Sequence, residues 1–146
     1  MKQNGHLGTG TWLRLMKAYN LMLREARSSL DGRCTLAQFD VLAHLYGADG
    51  GLTLADLSRR LLVTAGNVTG LIDRLEKMEW VKRVPDTEDR RATRVQLTAA
   101  GRSAAAKLIP MHTSDIEKFF SILSEREKTQ LRQLLDKVIV GMERTP

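Results

Sequence analysis

Apolar residues recur at helical spacing along most of the chain, and this pattern predicts a mainly α-helical protein. One broad apolar stripe occupies residues 11–30, and another occupies the last helical segment, up to Met142. Between them, two shorter helical patterns each begin with a capping signal. The first is the capping box of Thr35 with Gln38, and the second is Thr53, followed by Asp56.

A third helical pattern follows Thr64, which is placed as the N-cap of that helix. One face of the helix is apolar, with Val68, Leu71, Ile72, Leu75 and Met78. The opposite face is small and polar, led by Gly66, Thr69, Gly70 and Asp73, with Asn67 and Arg74 on its flanks. An apolar back with a small, hydrogen-bonding front suits a helix that lies in a DNA major groove.

Two short β-rich runs, WVKRV and RVQL, come directly after this helix. The segment between them, PDTEDRRAT, is too polar to enter a core, so the three pieces predict a β-hairpin with Arg90 and Arg91 at its tip. The predicted fold is therefore mainly α with a small β-hairpin wing (α+β), a winged helix-turn-helix. Thr98 is placed as the cap of the next helix, in which Pro110 is expected to cause a kink or a break.

The helices at the two ends of the chain carry more apolar surface than a lone winged helix needs. We expect one domain over residues 1–146, with a DNA-binding lobe at 35–98 and dimerisation helices at 11–30 and 99–143. A two-fold dimer would place its recognition helices roughly 34 Å apart and so predicts a pseudo-palindromic operator. A monomeric helical bundle is the alternative.

The net charge of +6 is less informative about DNA than it first suggests. Residues 35–98 hold nine Lys/Arg and nine Asp/Glu, so the predicted DNA-binding lobe is neutral overall. The arrangement of its cations is therefore the evidence, and not their sum. The predicted DNA-binding residues are Thr64, Ala65, Gly66, Asn67, Thr69, Gly70, Arg74, Arg83, Arg90 and Arg91. For Asp73, the alternatives are accepting a hydrogen bond from cytosine or orienting an arginine.

Two runs, VTAGNVTGLIDRLE and DTEDRRATRVQLTAAG, resemble the core of the MarR (multiple-antibiotic-resistance regulator) family of bacterial transcription factors. The resemblance extends from about Thr35 to Gly101. One departure is Glu79-Trp80, where the family usually has Gly-Leu, so Glu79 either adopts a left-handed conformation or ends the helix differently. The resemblance implies a homodimer on double-stranded DNA. It also implies that one wing arginine enters the minor groove while Asp89 pairs with the other.

The same resemblance implies a response to a small anionic, aromatic or phenolic effector. Candidate contacts are Trp12, Met16, Tyr19, His44 and Tyr46, with Arg14 or Lys17 as a partner for a carboxylate. Aromatic residues and Met at helical spacing are more often core residues, so packing is the competing interpretation for each.

Other function classes find little support in the sequence. The three histidines, His6, His44 and His112, are too scattered for a metal site, and the chain has no Gly-rich phosphate loop, so we expect neither an enzyme nor a cofactor. No apolar run could span a membrane, and a single cysteine suits the cytoplasm. Arg33 and a helix N-terminus next to Cys34 favour a thiolate, although an unreactive thiol is the preferred interpretation.

The predicted function is thus a homodimeric DNA-binding regulator, a repressor that a small effector releases from its operator. The alternatives are a winged helix that binds another protein and a DNA-binding module without sequence preference.

Overall fold

The computed structural model describes residues 6–30, 32–61 and 67–144. The chain divides into two compact units, residues 1–112 and 113–146. Its elements, in chain order, are α1 (Leu7–Ser29), α2 (Leu36–Tyr46), β1 (Leu52–Thr53), α3 (Leu54–Arg60), α4 (Val68–Lys77), β2 (Val81–Pro85), β3 (Thr93–Leu97), α5 (Ala99–Phe119) and α6 (Glu125–Glu143). This is the mainly α fold with a small β wing that the sequence predicts.

The three strands form one antiparallel sheet in the order β1-β3-β2. Strands β2 and β3 make the predicted hairpin, in which Val81 lies opposite Leu97 and Pro85 lies opposite Thr93. Strand β1 adds a third strand by pairing Leu52 with Val95. The sequence analysis missed β1 because two residues are too few for an alternating pattern to appear.

The core of the first unit collects the apolar faces of α2, α3 and α4 against β2, β3 and α5. Fully buried side chains in it include Leu30, Val41, Leu42, Leu45, Leu57, Ile72, Leu75, Val81 and Val95. The predicted inward face of α4 is confirmed, since Leu71, Ile72 and Leu75 are buried. The neutral lobe is thus held together by aliphatic packing, and most of its charged groups lie at the surface, with Asp86 as a buried exception.

Helices α2 and α3 begin at the caps that the sequence predicts, Thr35 and Thr53. The Thr35 hydroxyl accepts a hydrogen bond from the Gln38 backbone N–H (3.1 Å), and the Gln38 side chain accepts one from the Thr35 N–H (2.9 Å). Thr53 caps α3 as predicted, and Ser124 caps α6 in a capping box with Glu127. Pro110 does not end its helix, because α5 continues to Phe119.

In the second unit, the end of α5 and the helix α6 carry several exposed apolar side chains. Ile122, Leu134, Val138 and Met142 are each more than half exposed. None of the helices that the structure describes is both long enough and apolar enough to span a membrane.

Candidate nucleic-acid interface

Helix α4 begins later than predicted. Its N-cap is Asn67, whose side-chain oxygen accepts a hydrogen bond from the Gly70 N–H at 2.9 Å. The placement of Thr64 as N-cap is therefore wrong, because the helix starts at Val68 and the Asn67 side chain accepts from one of its first free N–H groups, that of Gly70. Thr64, Ala65 and Gly66 lie outside the described residues, so their predicted DNA contacts stay predictions.

Gly70 has a local role in this cap. A Cβ at position 70 would lie 2.9 Å from the Asn67 side-chain nitrogen, so the glycine leaves room for the capping side chain. The sequence analysis attributed Gly70 to the approach of another molecule. The structure adds this second reason, which lies within the chain itself.

The front of α4 is open to solvent. Thr69, Asp73 and Arg74 are exposed, while the opposite face is buried. The Arg74 guanidinium has no hydrogen bond or ion pair to any residue that the structure describes. Its donors therefore remain available to a phosphate or to the edge of a guanine.

Arg83, which lies on β2, has a different environment. Its guanidinium donates to the Asp73 carboxylate at 2.6 Å, to the Glu76 carboxylate and to the Thr69 carbonyl at 3.4 Å. The hydrogen bond to Asp73, together with the charge of Glu76, raises the pKa of this guanidinium. Arg83 was predicted to contact DNA, yet these donors are engaged within the chain. The alternative that Asp73 orients an arginine is confirmed.

The end of α4 explains the departure from the family pattern. Glu79 has a φ of 58°, so it adopts the left-handed conformation that glycine adopts more easily. The Glu79 N–H donates to the Glu76 carbonyl, and the Trp80 N–H donates to the Leu75 carbonyl. These two bonds are those of a Schellman motif. The helix thus ends as a glycine would end it, at a backbone cost of about 1 kcal/mol.

The LTAAG run joins this turn to α5. The Thr98 hydroxyl donates to the Glu79 carbonyl at 2.6 Å and accepts from the Gly101 N–H at 3.0 Å. A Cβ on Gly101 would lie 1.8 Å from the Trp80 carbonyl oxygen. Only glycine allows this contact, so the motif holds the start of α5 directly against the end of α4.

The strands of the wing, β2 and β3, are called its base here, as distinct from the loop at its tip, and this base is tied to the loop before β1. The Arg94 guanidinium donates to the Gly51 carbonyl at 2.8 Å and to the buried Asp86 carboxylate at 3.2 Å. The Gln96 side chain donates to the Gly50 carbonyl at 3.0 Å. No pattern in the sequence indicates this role for Arg94, since its carbonyl partner lies more than forty residues away along the chain.

The tip of the wing closes on itself. The Asp86 N–H donates to the Ala92 carbonyl at 3.1 Å, and the Ala92 N–H donates to the Asp89 carbonyl at 2.9 Å. The Asp89 carboxylate accepts from the Arg91 backbone N–H at 2.9 Å. The implied pairing of Asp89 with an arginine side chain is therefore wrong, because its carboxylate forms an Asx turn instead. Arg90 and Arg91 are exposed, with no ion pair among the described residues.

The predicted effector contacts lie on two helices, α1 and α2. On α1, Trp12 and Tyr19 are exposed and Met16 is half-buried. On α2, His44 lies 3.4 Å from the Asp40 carboxylate, and the Arg102 guanidinium lies 5.4 Å from the centre of the Tyr46 ring.

A cavity of about 570 Å³ lies elsewhere in the first unit. None of the five predicted effector residues lines it. Its walls are Arg33, Trp80, Ala100, Ser103, Ala104, Lys107 and Leu108. The lining residues come from three separate stretches of sequence, so no pattern along the chain could have grouped them.

Cys34 is buried, and burial raises the pKa of its thiol. The neighbouring Arg33 does not produce the thiolate that its position suggested. A raised pKa leaves the thiol protonated and poorly nucleophilic near neutral pH. This supports the preferred interpretation of an unreactive thiol.

Comparison with known proteins agrees with this architecture. A family model described as MarR family matches residues 35–92. The chain is 31% identical, over 136 residues, to an HTH-type transcriptional regulator of Bacillus cereus, an alignment that covers 90% of this chain and 88% of the relative. The chain belongs to the MarR family. Proteins of this family are transcription regulators and not enzymes.

Two further relatives extend the comparison. The HTH-type transcriptional regulator PecS of Dickeya dadantii is 34% identical over 103 residues, which cover 69% of this chain but only 62% of PecS. The solved structure of BpsR from Bordetella bronchiseptica has a TM-score of 0.75 and 27% identity, and covers 94% of this chain and 93% of BpsR. The DNA binding of BpsR is regulated by 6-hydroxynicotinic acid.

Proposed function

We propose that this MarR-family protein is a repressor that binds a pseudo-palindromic DNA operator as a homodimer. The observation that carries the proposal is the pairing of two exposed features in one lobe. Helix α4 presents a polar front in which Arg74 has no partner among the described residues, and a self-closed wing presents Arg90 and Arg91. Positioned cations at two separate places suit the major groove and the neighbouring minor groove of a duplex.

In this proposal, α4 lies in the major groove. Thr69 and Arg74 reach base edges or phosphates, and Asn67 offers its side-chain N–H₂ group while its oxygen caps the helix. The residues before the cap, Thr64 to Gly66, contribute further contacts. Arg90 and Arg91 bind in the minor groove or contact the phosphates beside it. A protein that binds chromosomal DNA in a bacterium acts in the cytoplasm.

Homodimer formation is supported by apolar side chains that the described residues leave exposed. On α1, Trp12 is 58% exposed and Leu13 is 61% exposed. On α6, Leu134 is 62% exposed and Val138 is 58% exposed. Exposed apolar surface on long helices at both ends of a chain is typical of surfaces that a second copy covers.

The proposed effector is a small aromatic acid or phenol. BpsR provides the precedent, since 6-hydroxynicotinic acid regulates its DNA binding. One candidate site contains the residues predicted on α1 and α2, namely Trp12, Met16, Tyr19, His44 and Tyr46. The 570 Å³ cavity is a second candidate, because the Trp80 indole and the apolar Leu108 line it together with two cations, Arg33 and Lys107.

DNA binding is tested by fluorescence anisotropy with a duplex from immediately upstream of the protein's own gene and a scrambled duplex of the same composition. We expect the upstream duplex to bind at least about a hundredfold more tightly at physiological salt. Equal affinity for both duplexes would indicate a module without sequence preference. No binding to either would favour a winged helix that recognises another protein.

Dimer formation is tested by analytical ultracentrifugation of the wild type and of Val138→Glu. A charge at the centre of the exposed α6 face should shift the protein from dimer to monomer and abolish operator binding. Gln133→Glu is the matched control, since it adds the same charge at an exposed polar position of the same helix. A wild type that sediments as a monomer at every concentration would contradict the proposal.

A further inference from the structure

Arg83 is the one cation of the predicted DNA-binding set that the described residues surround with acceptors. Its side chain is 25% exposed, and it reaches from β2 to three positions on α4. Thr69, Asp73 and Glu76 are spaced i, i+4 and i+7, so they form one stripe along that helix. A single guanidinium therefore spans about two turns of the helix that presents the polar front.

The contacts leave Arg83 poorly suited to bind a phosphate directly. A guanidinium binds carboxylates and phosphates through the same planar fork of N–H donors. Here that fork is already directed at two carboxylates. A phosphate at Arg83 would have to displace a carboxylate that would then face the negatively charged duplex. The free guanidinium of Arg74 on the same helix carries no such penalty.

The two carboxylates create the need for Arg83. Asp73 and Glu76 are 53% and 40% exposed and share the stripe with Thr69, which belongs to the proposed DNA-facing front. Without a nearby cation, both would repel the phosphates of a bound duplex. Strand β2 supplies that cation and, through the same contacts, joins the wing to the helix.

We propose that Arg83 is a positioning residue, which neutralises Asp73 and Glu76 and holds the wing against α4, and that it does not contact DNA. This inference rests on the proposed function. It differs from the sequence prediction, which counted Arg83 with the DNA-binding arginines. It also divides the basic residues of the lobe into those that organise the polar front of α4 and those that bind the duplex.

The test compares Arg83→Gln, Asp73→Asn/Glu76→Gln, the triple variant that combines them, and Arg74→Gln as the matched loss of a free arginine. Binding to the upstream and scrambled duplexes is measured across a salt series. We expect Arg83→Gln to lose at least about tenfold in affinity for the upstream duplex. The triple variant should return to within about threefold of the wild type, because the two carboxylates that required Arg83 are then gone.

The salt series separates the two arginines. Loss of a phosphate contact makes the dependence of log affinity on log salt shallower by about 0.9. Arg74→Gln should show this change and should not be rescued by Asp73→Asn/Glu76→Gln. If instead the triple variant stays as weak as Arg83→Gln and its salt dependence is equally shallow, Arg83 contacts DNA and the proposal is wrong.

Unfolding measurements keep the inference separate from the proposed function. Arg83→Gln should lower the urea midpoint more in the wild-type background than in the Asp73→Asn/Glu76→Gln background. Equal shifts in both backgrounds would mean that the three side chains are not coupled, which would overturn the positioning role. A wild type that ignores the upstream duplex but shows this coupling would reject the DNA-binding proposal alone.

Discussion

The base and the tip of the wing contain the same residue type in opposite situations. At the base, Arg94 is bound to the Gly51 carbonyl and to the buried Asp86 carboxylate. At the tip, Arg90 and Arg91 extend into solvent from a loop that is closed by backbone hydrogen bonds and by Asp89. The structural arginine, Arg94, is thus only three positions along the chain from the exposed Arg91.

The difference shows why the overall charge of the lobe says little about its partner. Its cations and anions are equal in number, but Arg94 binds Asp86, directly after β2, and Arg83 binds Asp73 and Glu76 on α4. Pairing removes these charges from the surface electrostatics, whereas Arg74, Arg90 and Arg91 stay exposed on the proposed DNA-binding surface. The wing base should therefore respond to mutation in stability, and the tip in DNA affinity.

The largest effect is expected at the wing base, from Gly51→Ala. A Cβ at this position would lie 2.1 Å from the Val95 carbonyl oxygen, so the new methyl group would push β1 away from β3. We expect the free energy of unfolding to fall by about 3 kcal/mol or more, measured by urea denaturation.

Gly50→Ala is the matched control for this prediction. Gly50 has the same φ of 81° as Gly51, but a Cβ there meets nothing within 4 Å. It should lose only about 1 kcal/mol, the cost of the left-handed backbone. Equal losses in the two variants would show that the close approach of the strands does not constrain the base.

At the wing tip, Arg90→Ala/Arg91→Ala should leave the urea midpoint unchanged, because neither side chain has an ion pair among the described residues. Affinity for the upstream duplex should fall at least about tenfold, which corresponds to about 1.4 kcal/mol. The salt dependence of binding should also become shallower. Unchanged affinity would mean that the tip does not contact DNA. A large loss of stability would mean that the tip, like the base, is needed for the fold.

The smallest effect is expected where α4 passes into the wing, from Glu79→Gly. Glycine relieves the left-handed strain at φ 58° but increases the freedom of the unfolded chain, so the net gain should be about 0.5 kcal/mol. Glu79→Ala removes the same charge and keeps the Cβ, so it should give no gain. If the alanine variant were as stable as the glycine variant, strain at this turn would not be the cause.

Patterns that repeat within one element determined the fold. The apolar face of α4, the capping boxes of α2 and α6 and the β-rich runs of the hairpin are each visible in residues that lie close together along the chain. The start of α4 was misplaced by three residues, because Thr64 and Asn67 are both good caps and sequence alone does not rank them.

The amino-acid sequence by itself determined most of the helices, the β-hairpin, the resemblance to the family and the set of cations from which an interface can be built. Only the tertiary structure decided which cations are free. Arg83 is bound by residues of another element, and Arg94 by a loop more than forty residues away along the chain. The close contact of Gly101 with the Trp80 backbone is likewise a tertiary contact. The physical reason is that an ion pair or a close backbone contact depends on distance in space, and folding brings together positions that no local period relates.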